Sequence, residues 1–134
     1  MGDYFGHWIK LADREGAKLP KIFHVNWFRK DSGGKFLWPG YGENSRVLAW
    51  IFRRCEGKAD AVDTPIGLVP PVGEGGIETE GLDLPDERMR ELLAVDPGEW
   101  REQVGAIEEH YTQFGDRLPQ ALRDQLTELE RRLK

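Results

Sequence analysis

The sequence is poor in cysteine, since Cys55 is the only one among its 134 residues. One thiol excludes an internal disulfide and any metal site made of several cysteines. A lone thiol suits a reducing compartment, so we expect a cytoplasmic protein. No apolar run approaches the roughly 20 residues that a bilayer helix needs. The first residues show no basic segment followed by an apolar one, so neither a secretory signal nor a membrane partner is predicted.

The sequence also lacks the common catalytic motifs. None of its three histidines, at positions 7, 24 and 110, forms a metal-ligand spacing with another. No nucleophile elbow surrounds Ser45. The run "SGGKF" at residues 32–36 lacks the first glycine and the final Ser or Thr of a phosphate-binding P-loop. We therefore predict no catalytic residue and no metal ligand within this chain.

The charge present is unevenly distributed. Residues 1–58 hold 11 Lys and Arg against 6 Asp and Glu, whereas residues 59–134 hold 8 against 18. Four of the five tryptophans lie in the basic half. A basic, aromatic half favours an anionic ligand with a ring, such as a nucleotide or a nucleic acid. The alternative is that the two halves neutralise each other within one fold.

Hydrophobic periodicity predicts an α+β fold, mostly helical, with one small sheet. Helices are predicted over residues 3–15, 43–57, 85–94, 97–115 and 118–134. In the second helix the predicted inward residues are Val47, Leu48, Ile51 and Phe52. The apolar stripes of the last two helices predict an antiparallel pair.

The sheet is predicted from two segments rich in β-branched and aromatic residues. Residues 21–28 and 35–38 are expected to pair as a hairpin across the turn at residues 31–34. Residues 64–70 are predicted as a short strand or extended segment. Residues 58–63 and the Gly- and Glu-rich residues 71–81 are predicted as loops, the second of them exposed.

One segment, "FHVNWFRKDSGGKFLWPGYGENSRV" at residues 23–47, combines six aromatic residues with four glycines. Exposed aromatic rings stack bases, and glycines at positions 40 and 42 let the backbone approach a ligand closely. The Asn44 amide both donates and accepts, which suits the edge of a guanine. The alternative is that the rings form the core of the hairpin and that Asn44 only caps the following helix.

The strings "FHVNWFRKD", "GKFLWPG" and "GENSRVL" resemble the C-terminal part of GTP-dependent phosphoenolpyruvate carboxykinases. The resemblance covers essentially the whole chain and is strongest over residues 18–54. It implies a lyase of gluconeogenesis that converts oxaloacetate and GTP to phosphoenolpyruvate, carbon dioxide and GDP. It further implies manganese and a second divalent ion in the full-length enzyme, neither held by this chain. Family members are usually monomeric.

The same resemblance implies a guanine pocket. It places Trp27 and Phe28 in the pocket, makes Phe36 and Tyr41 the two faces of a sandwich around the base, and has Asn44 read the edge of the base. The turn "YGEN" contributes Tyr41, Gly42, Glu43 and Asn44 as nucleotide contacts. Many relatives have Phe where this chain has Tyr41.

The resemblance also places the P-loop, the manganese ligands and the oxaloacetate-binding arginines upstream of Met1. We therefore expect residues 1–134 to be one C-terminal segment of a larger mixed α/β nucleotide-binding domain. Residues 1–58 would carry the guanine subsite, and residues 59–134 a loop and a helical tail. The missing N-terminal part would be its partner, and without it the chain would be inactive. The alternative is a separate module that binds single-stranded nucleic acid or a partner protein; the resemblance itself implies no nucleic acid.

Overall fold

The computed structural model describes every residue from Met1 to Lys134. It contains, in chain order, α1 (Gly2–Ile9), α2 (Asn44–Cys55), β1 (Val62–Thr64), β2 (Gly67–Val69), α3 (Asp86–Leu93), α4 (Pro97–Thr112) and α5 (Gln120–Arg132). Single 3-10 turns lie at Tyr41–Glu43 and Gly115–Arg117. The predicted α+β class is confirmed. No helix has both the length and the apolar character that a membrane crossing requires.

Two compact units make up the chain: Met1–Pro20 together with Val95–Lys134, and Lys21–Ala94. The first unit holds α1, α4 and α5. In α4 the Asp96 side chain accepts a hydrogen bond from the Glu99 amide at 2.9 Å, which caps the helix. Arg101 near the start of α4 donates to the Leu133 carbonyl after α5 at 2.6 Å. The predicted antiparallel pairing of these two helices is therefore confirmed.

Helix α1 is shorter than predicted, because turns rather than helix follow Ile9. Phe5 of α1 meets Phe114 edge-to-face with 5.6 Å between ring centroids. A Cβ added at Gly2 would lie 2.1 Å from the Arg117 carbonyl oxygen. The helix therefore approaches that turn at a distance that only glycine permits.

The second unit, Lys21–Ala94, contains a core built around the buried face of α2. Seven buried residues form this core: Trp38, Val47, Trp50, Ala59, Ile77, Leu84 and Met89. Trp50 is 4% exposed, while Phe52 on the other side of α2 is 68% exposed. Leu48 also points outward, so the predicted inward face was wrong for Leu48 and Phe52. The helix is turned so that the large Trp50 ring, rather than Phe52, enters the core.

The predicted hairpin was wrong in its strand pairing: the turn at residues 31–34 forms, but residues 21–28 pair with no strand. Lys30 and Phe36 form only an isolated bridge, flanked by amide-to-carbonyl bonds from Asp31 to Lys35 and from Leu37 to Arg29, both 2.9 Å. The Asp31 carboxylate accepts from the backbone within the turn and tightens it. Residues 21–26 have no regular secondary structure, Trp27 and Phe28 form a turn, and none of residues 21–27 makes a backbone-to-backbone hydrogen bond.

Packing explains this failure. Phe23, Val25 and Trp27 pack against the core, while the residues between them are exposed. The alternation therefore reflects side chains resting on α2 and its neighbours, which requires no strand partner. Phe23 meets Trp50 edge-to-face at 6.2 Å.

The sheet instead pairs β1 with β2 in antiparallel register, Val62 with Val69 and Thr64 with Gly67. The strand prediction for residues 64–70 is confirmed by β2. The loop prediction for residues 58–63 was wrong at its end, where β1 begins. Gly67 has φ +128°, a conformation that L side chains rarely adopt, at the tight turn between the two strands.

Residues 71–81 lack regular structure, as predicted, but are not wholly exposed. Ile77 is buried in the core, and the Trp50 indole N–H donates to the Gly75 carbonyl at 3.2 Å. Arg53 donates to the Gly76 carbonyl at 3.2 Å. A Cβ at Gly76 would lie 2.0 Å from the Pro71 carbonyl oxygen. The glycines allow this loop to fold tightly against α2.

Replacing Trp50 tests whether this core depends on its ring. We expect Trp50→Ala to lower the free energy of unfolding by about 3–5 kcal/mol, because it leaves a cavity and removes the hydrogen bond to Gly75. Urea unfolding followed by circular dichroism measures the change. Phe52→Ala on the same helix is the matched control and should change stability by about 0.5 kcal/mol or less. Equal losses from both variants would contradict the observed orientation of α2.

Candidate functional site

A cavity of about 390 Å³ lies where the Tyr41–Glu43 turn leads into α2. Its lining residues are Trp27, Tyr41, Gly42, Asn44, Ser45 and Leu48. The volume is within the range of small-molecule sites. Four of the seven residues predicted to contact the nucleotide therefore border one cavity.

The turn before α2 holds Tyr41 away from the core. Gly40 has φ +128° and ψ −172°, a conformation essentially reserved for glycine. The Glu43 amide donates to the Gly40 carbonyl at 3.1 Å and closes the turn. Tyr41 is 91% exposed, so its ring is free to stack on a flat ligand. A Cβ at Gly42 would meet no heavy atom within 4 Å, so the backbone there is open to a ligand.

Glu43, a further predicted contact, is engaged by a neighbouring cation. Arg46 donates to its carboxylate at 2.6 Å and also to the Glu78 carbonyl at 3.2 Å. Both partners of the ion pair are partly exposed. This pair links the turn to residues 71–81 and balances the carboxylate charge beside the cavity.

Asn44 is held by the core. The buried Trp38 indole N–H donates to Asn44 Oδ1 at 2.9 Å. Helix α2 has no side-chain capping hydrogen bond, so the alternative that Asn44 serves as its cap is wrong. The Asn44 amide is instead fixed in orientation at the edge of the cavity.

Phe28 and Phe36 form a separate aromatic pair. Their rings meet edge-to-face at 6.2 Å with an interplanar angle of 61°, and Lys30 Nζ lies 5.0 Å from the Phe36 centroid. Neither ring lines the cavity. Phe28 is 72% exposed, and Phe36 is also exposed, so the alternative that the rings of this segment form a core is wrong for these two. It holds for Trp38, which is buried in the core, and in part for Phe23 and Trp27, which pack against it. The seven predicted residues therefore divide into a cavity group, this aromatic pair and the ion-paired Glu43.

Two arginines connect α3 to the segment around the Lys30–Phe36 bridge, which holds the aromatic pair. Arg29 donates to the carbonyls of Leu92 and Ala94 at 3.0 and 2.7 Å. Arg88 of α3 pairs with Asp31 at 3.3 Å. These partners are 57 to 65 positions apart in the chain, so no local pattern could reveal them.

Sequence reasoning missed two residues that line the cavity and one hydrogen bond beside it. Ser45 and Leu48 line it, although Ser45 was considered as a nucleophile and not as a cavity residue, and Leu48 was predicted to face inward. Trp38 was not linked to Asn44. A detectable signal existed, since a buried indole N–H requires an acceptor and Asn44 lies only six positions ahead.

The described residues do not fit a manganese site. Nowhere does the chain bring together three His, Cys, Asp or Glu side chains suited to holding a metal ion. A second cavity, of about 510 Å³, lies in the unit that contains α1 and is lined by Gly2, Asp3, Gly6, His7, Lys10, Arg117, Pro119 and Gln120. It offers no phenyl, phenol or indole ring on which a base could stack, unlike the cavity at α2.

An exposed ring beside an oriented amide defines a class of site that accepts a flat, hydrogen-bonding ligand. Sequence comparison specifies the family. The sequence model of the phosphoenolpyruvate carboxykinase C-terminal P-loop domain matches residues 1–132. The chain belongs to this family, and the predicted resemblance is confirmed.

Curated relatives named phosphoenolpyruvate carboxykinase (GTP) match the chain along nearly its whole length. Identity is 57% with the protein of Treponema pallidum strain Nichols, over 99% of this chain and 22% of that protein. It is 54% with the protein of Neocallimastix frontalis, over 100% of this chain and 22% of that protein. The protein of Paenarthrobacter aurescens is 50% identical over 98% of this chain. The chain spans about 22% of the length of the first relatives it matches.

The Gly40 turn predicts a stability difference between two neighbouring glycines. Gly40→Ala should lower the free energy of unfolding by an amount on the order of 1–3 kcal/mol, since alanine does not tolerate this backbone conformation. Gly42→Ala is the control, because Gly42 has no positive φ and its Cβ would enter open space. Its stability should be unchanged or slightly higher. Urea unfolding of both variants makes the comparison, and a destabilised Gly42→Ala beside an unaffected Gly40→Ala would contradict this geometry.

Proposed function

We propose that this chain forms the guanine-binding subsite of a GTP-dependent phosphoenolpyruvate carboxykinase. That enzyme converts oxaloacetate and GTP to phosphoenolpyruvate, carbon dioxide and GDP. Family membership and the names of the relatives support the proposal. The single observation that carries the subsite is the fixed Asn44 amide beside the 91% exposed ring of Tyr41.

The cavity residues suggest how a base would bind. Tyr41 supplies a ring face for stacking, and Trp27 supplies a second aromatic wall. The open backbone at Gly42 permits close approach of the ligand. Asn44 contacts the polar edge of the base. Phe28 and Phe36 lie outside the cavity, near the Lys30–Phe36 bridge. A base that extends past the cavity toward them would be held between Tyr41 and Phe36, as the resemblance implies.

The proposed contribution to catalysis is positioning. A base held at a fixed place limits where the γ-phosphate of the same nucleotide can reach, which lowers the entropic part of the barrier. The chain contains no G-x-x-x-x-G-K-[ST] pattern and no suitable cluster of metal ligands. We therefore assign phosphoryl transfer, decarboxylation and the binding of the divalent ions to residues outside this chain. We expect this chain alone to catalyse no turnover, and we expect the enzyme to be cytoplasmic.

Nucleotide titration followed by tryptophan fluorescence tests the subsite. GTP should quench the emission of Trp27 saturably, at concentrations where ATP does little. Tyr41→Ala should weaken GTP binding by about 5–150-fold, the equivalent of one lost stacking contact. Phe52→Ala is the control, since it removes an exposed ring outside the cavity and should leave the affinity unchanged.

The same titration separates the proposal from a nucleic-acid-binding module. If the chain does not bind GTP but binds a single-stranded oligonucleotide with an affinity that falls steeply as salt rises, the nucleic-acid-binding module is favoured. Equal affinities for GTP and ATP would contradict a guanine subsite. An unchanged GTP affinity in Tyr41→Ala would contradict stacking on that ring.

A further inference from the structure

The hydrogen bond between Trp38 and Asn44 determines which end of the amide faces the cavity. An indole N–H can only donate, so the atom that lies 2.9 Å from Trp38 Nε1 must be Asn44 Oδ1. The Nδ2 group then lies at the other end of the planar amide. It donates to no protein group in the structure, and no buried side-chain nitrogen or oxygen lacks a partner, so solvent reaches Nδ2.

We infer that Trp38 is a positioning residue for base selectivity: its indole N–H fixes the Asn44 amide so that the cavity receives donors and selects a 6-oxopurine over a 6-aminopurine. This inference rests on the proposed guanine subsite. It adds a residue that lines no part of the cavity.

Burial makes the orientation stable. Trp38 is 5% exposed and packs in the same core as Val47 and Trp50, so its N–H cannot turn to water. Rotating the Asn44 amide by half a turn would place Nδ2 against the indole N–H, donor against donor. It would also leave a buried donor unpaired, which is unfavourable. The core therefore holds the amide in one of its two orientations.

The chemistry of the purines converts this orientation into selectivity. Guanine carries an acceptor oxygen at position 6, whereas adenine carries an amino group that donates there. The Asn44 Nδ2 donors pair with the first and oppose the second. A freely rotating asparagine would adapt to either base, because it offers one acceptor and one donor group.

The test compares dissociation constants for GTP and ATP, measured by isothermal titration calorimetry on the full chain. Trp38→Phe keeps an aromatic ring in the core but removes the N–H. We expect it to reduce the ratio of GTP to ATP affinity by about 5–150-fold, the effect of one lost donor–acceptor match. Trp50→Phe is the matched control: it also removes a buried indole N–H, but one that donates to the Gly75 carbonyl. Its ratio should equal that of the unchanged chain.

Asn44→Asp is a more discriminating test, because it should reverse the preference rather than only reduce it. One carboxylate oxygen can accept from Trp38, which leaves the other oxygen as an acceptor toward the ligand. The preference should then reverse, with ATP bound more tightly than GTP. The added negative charge acts equally on both triphosphates and cancels in the ratio.

The outcomes distinguish the positioning role of Trp38 from the guanine subsite itself. A chain that prefers GTP and keeps its ratio in Trp38→Phe overturns the positioning role of Trp38 and leaves the guanine subsite standing. A chain that binds neither nucleotide overturns both. Retained GTP preference in Asn44→Asp would also overturn the role assigned to the fixed amide.

A readout without nucleotide tests the hydrogen bond directly. By nuclear magnetic resonance, the Trp38 indole N–H should exchange with solvent far more slowly than that of the exposed Trp8. Its exchange should accelerate in Asn44→Ala. If the Trp38 indole exchanges as fast as that of Trp8, the hydrogen bond does not hold the amide and the inference is overturned.

Discussion

The unit Lys21–Ala94 depends on the burial of the Trp50 indole. This ring requires apolar contacts on its faces and an acceptor for its N–H, and distant parts of the chain supply them. Phe23 packs edge-on against it, and the Gly75 carbonyl accepts its hydrogen bond. One side chain on α2 therefore contacts both residues 21–28 and residues 71–81, two segments that lack regular secondary structure of their own.

The candidate site inherits its order from this core. Trp38 lies in the same buried cluster, yet its N–H reaches Asn44 at the cavity. The Asn44 amide is thus held by the core, while Tyr41, the proposed stacking element, stays almost fully exposed on a glycine-bounded turn. Selectivity and stacking would rest on different physical supports, one a buried hydrogen bond and the other an unburied ring.

Sequence patterns predicted the features of the fold and site that depend on residues close together in the chain. Helical periodicity located α2 to α5, and the ring, glycine and amide types of residues 41–44 indicated the cavity. The hairpin failed because alternation in residues 21–28 records packing on α2 rather than strand pairing. The hydrogen bonds of Arg29 and the ion pair of Arg88 join residues far apart in the chain, so no local sequence pattern predicts them. The separation of Phe28 and Phe36 from the cavity was likewise beyond sequence reasoning, since it depends on those tertiary contacts.

The turn at Gly40 has a consequence at the level of the gene. Every single-base missense change in a glycine codon introduces a residue with a Cβ, and no such residue suits φ +128° with ψ −172°. No single-base missense change in codon 40 therefore gives a residue that adopts this backbone conformation without strain. Codon 42, two positions further on, allows several changes without strain, because Gly42 has no positive φ and a Cβ there would enter open space. Random mutation would thus change the side chain that lines the cavity at position 42, while Gly40 keeps the shape of the turn.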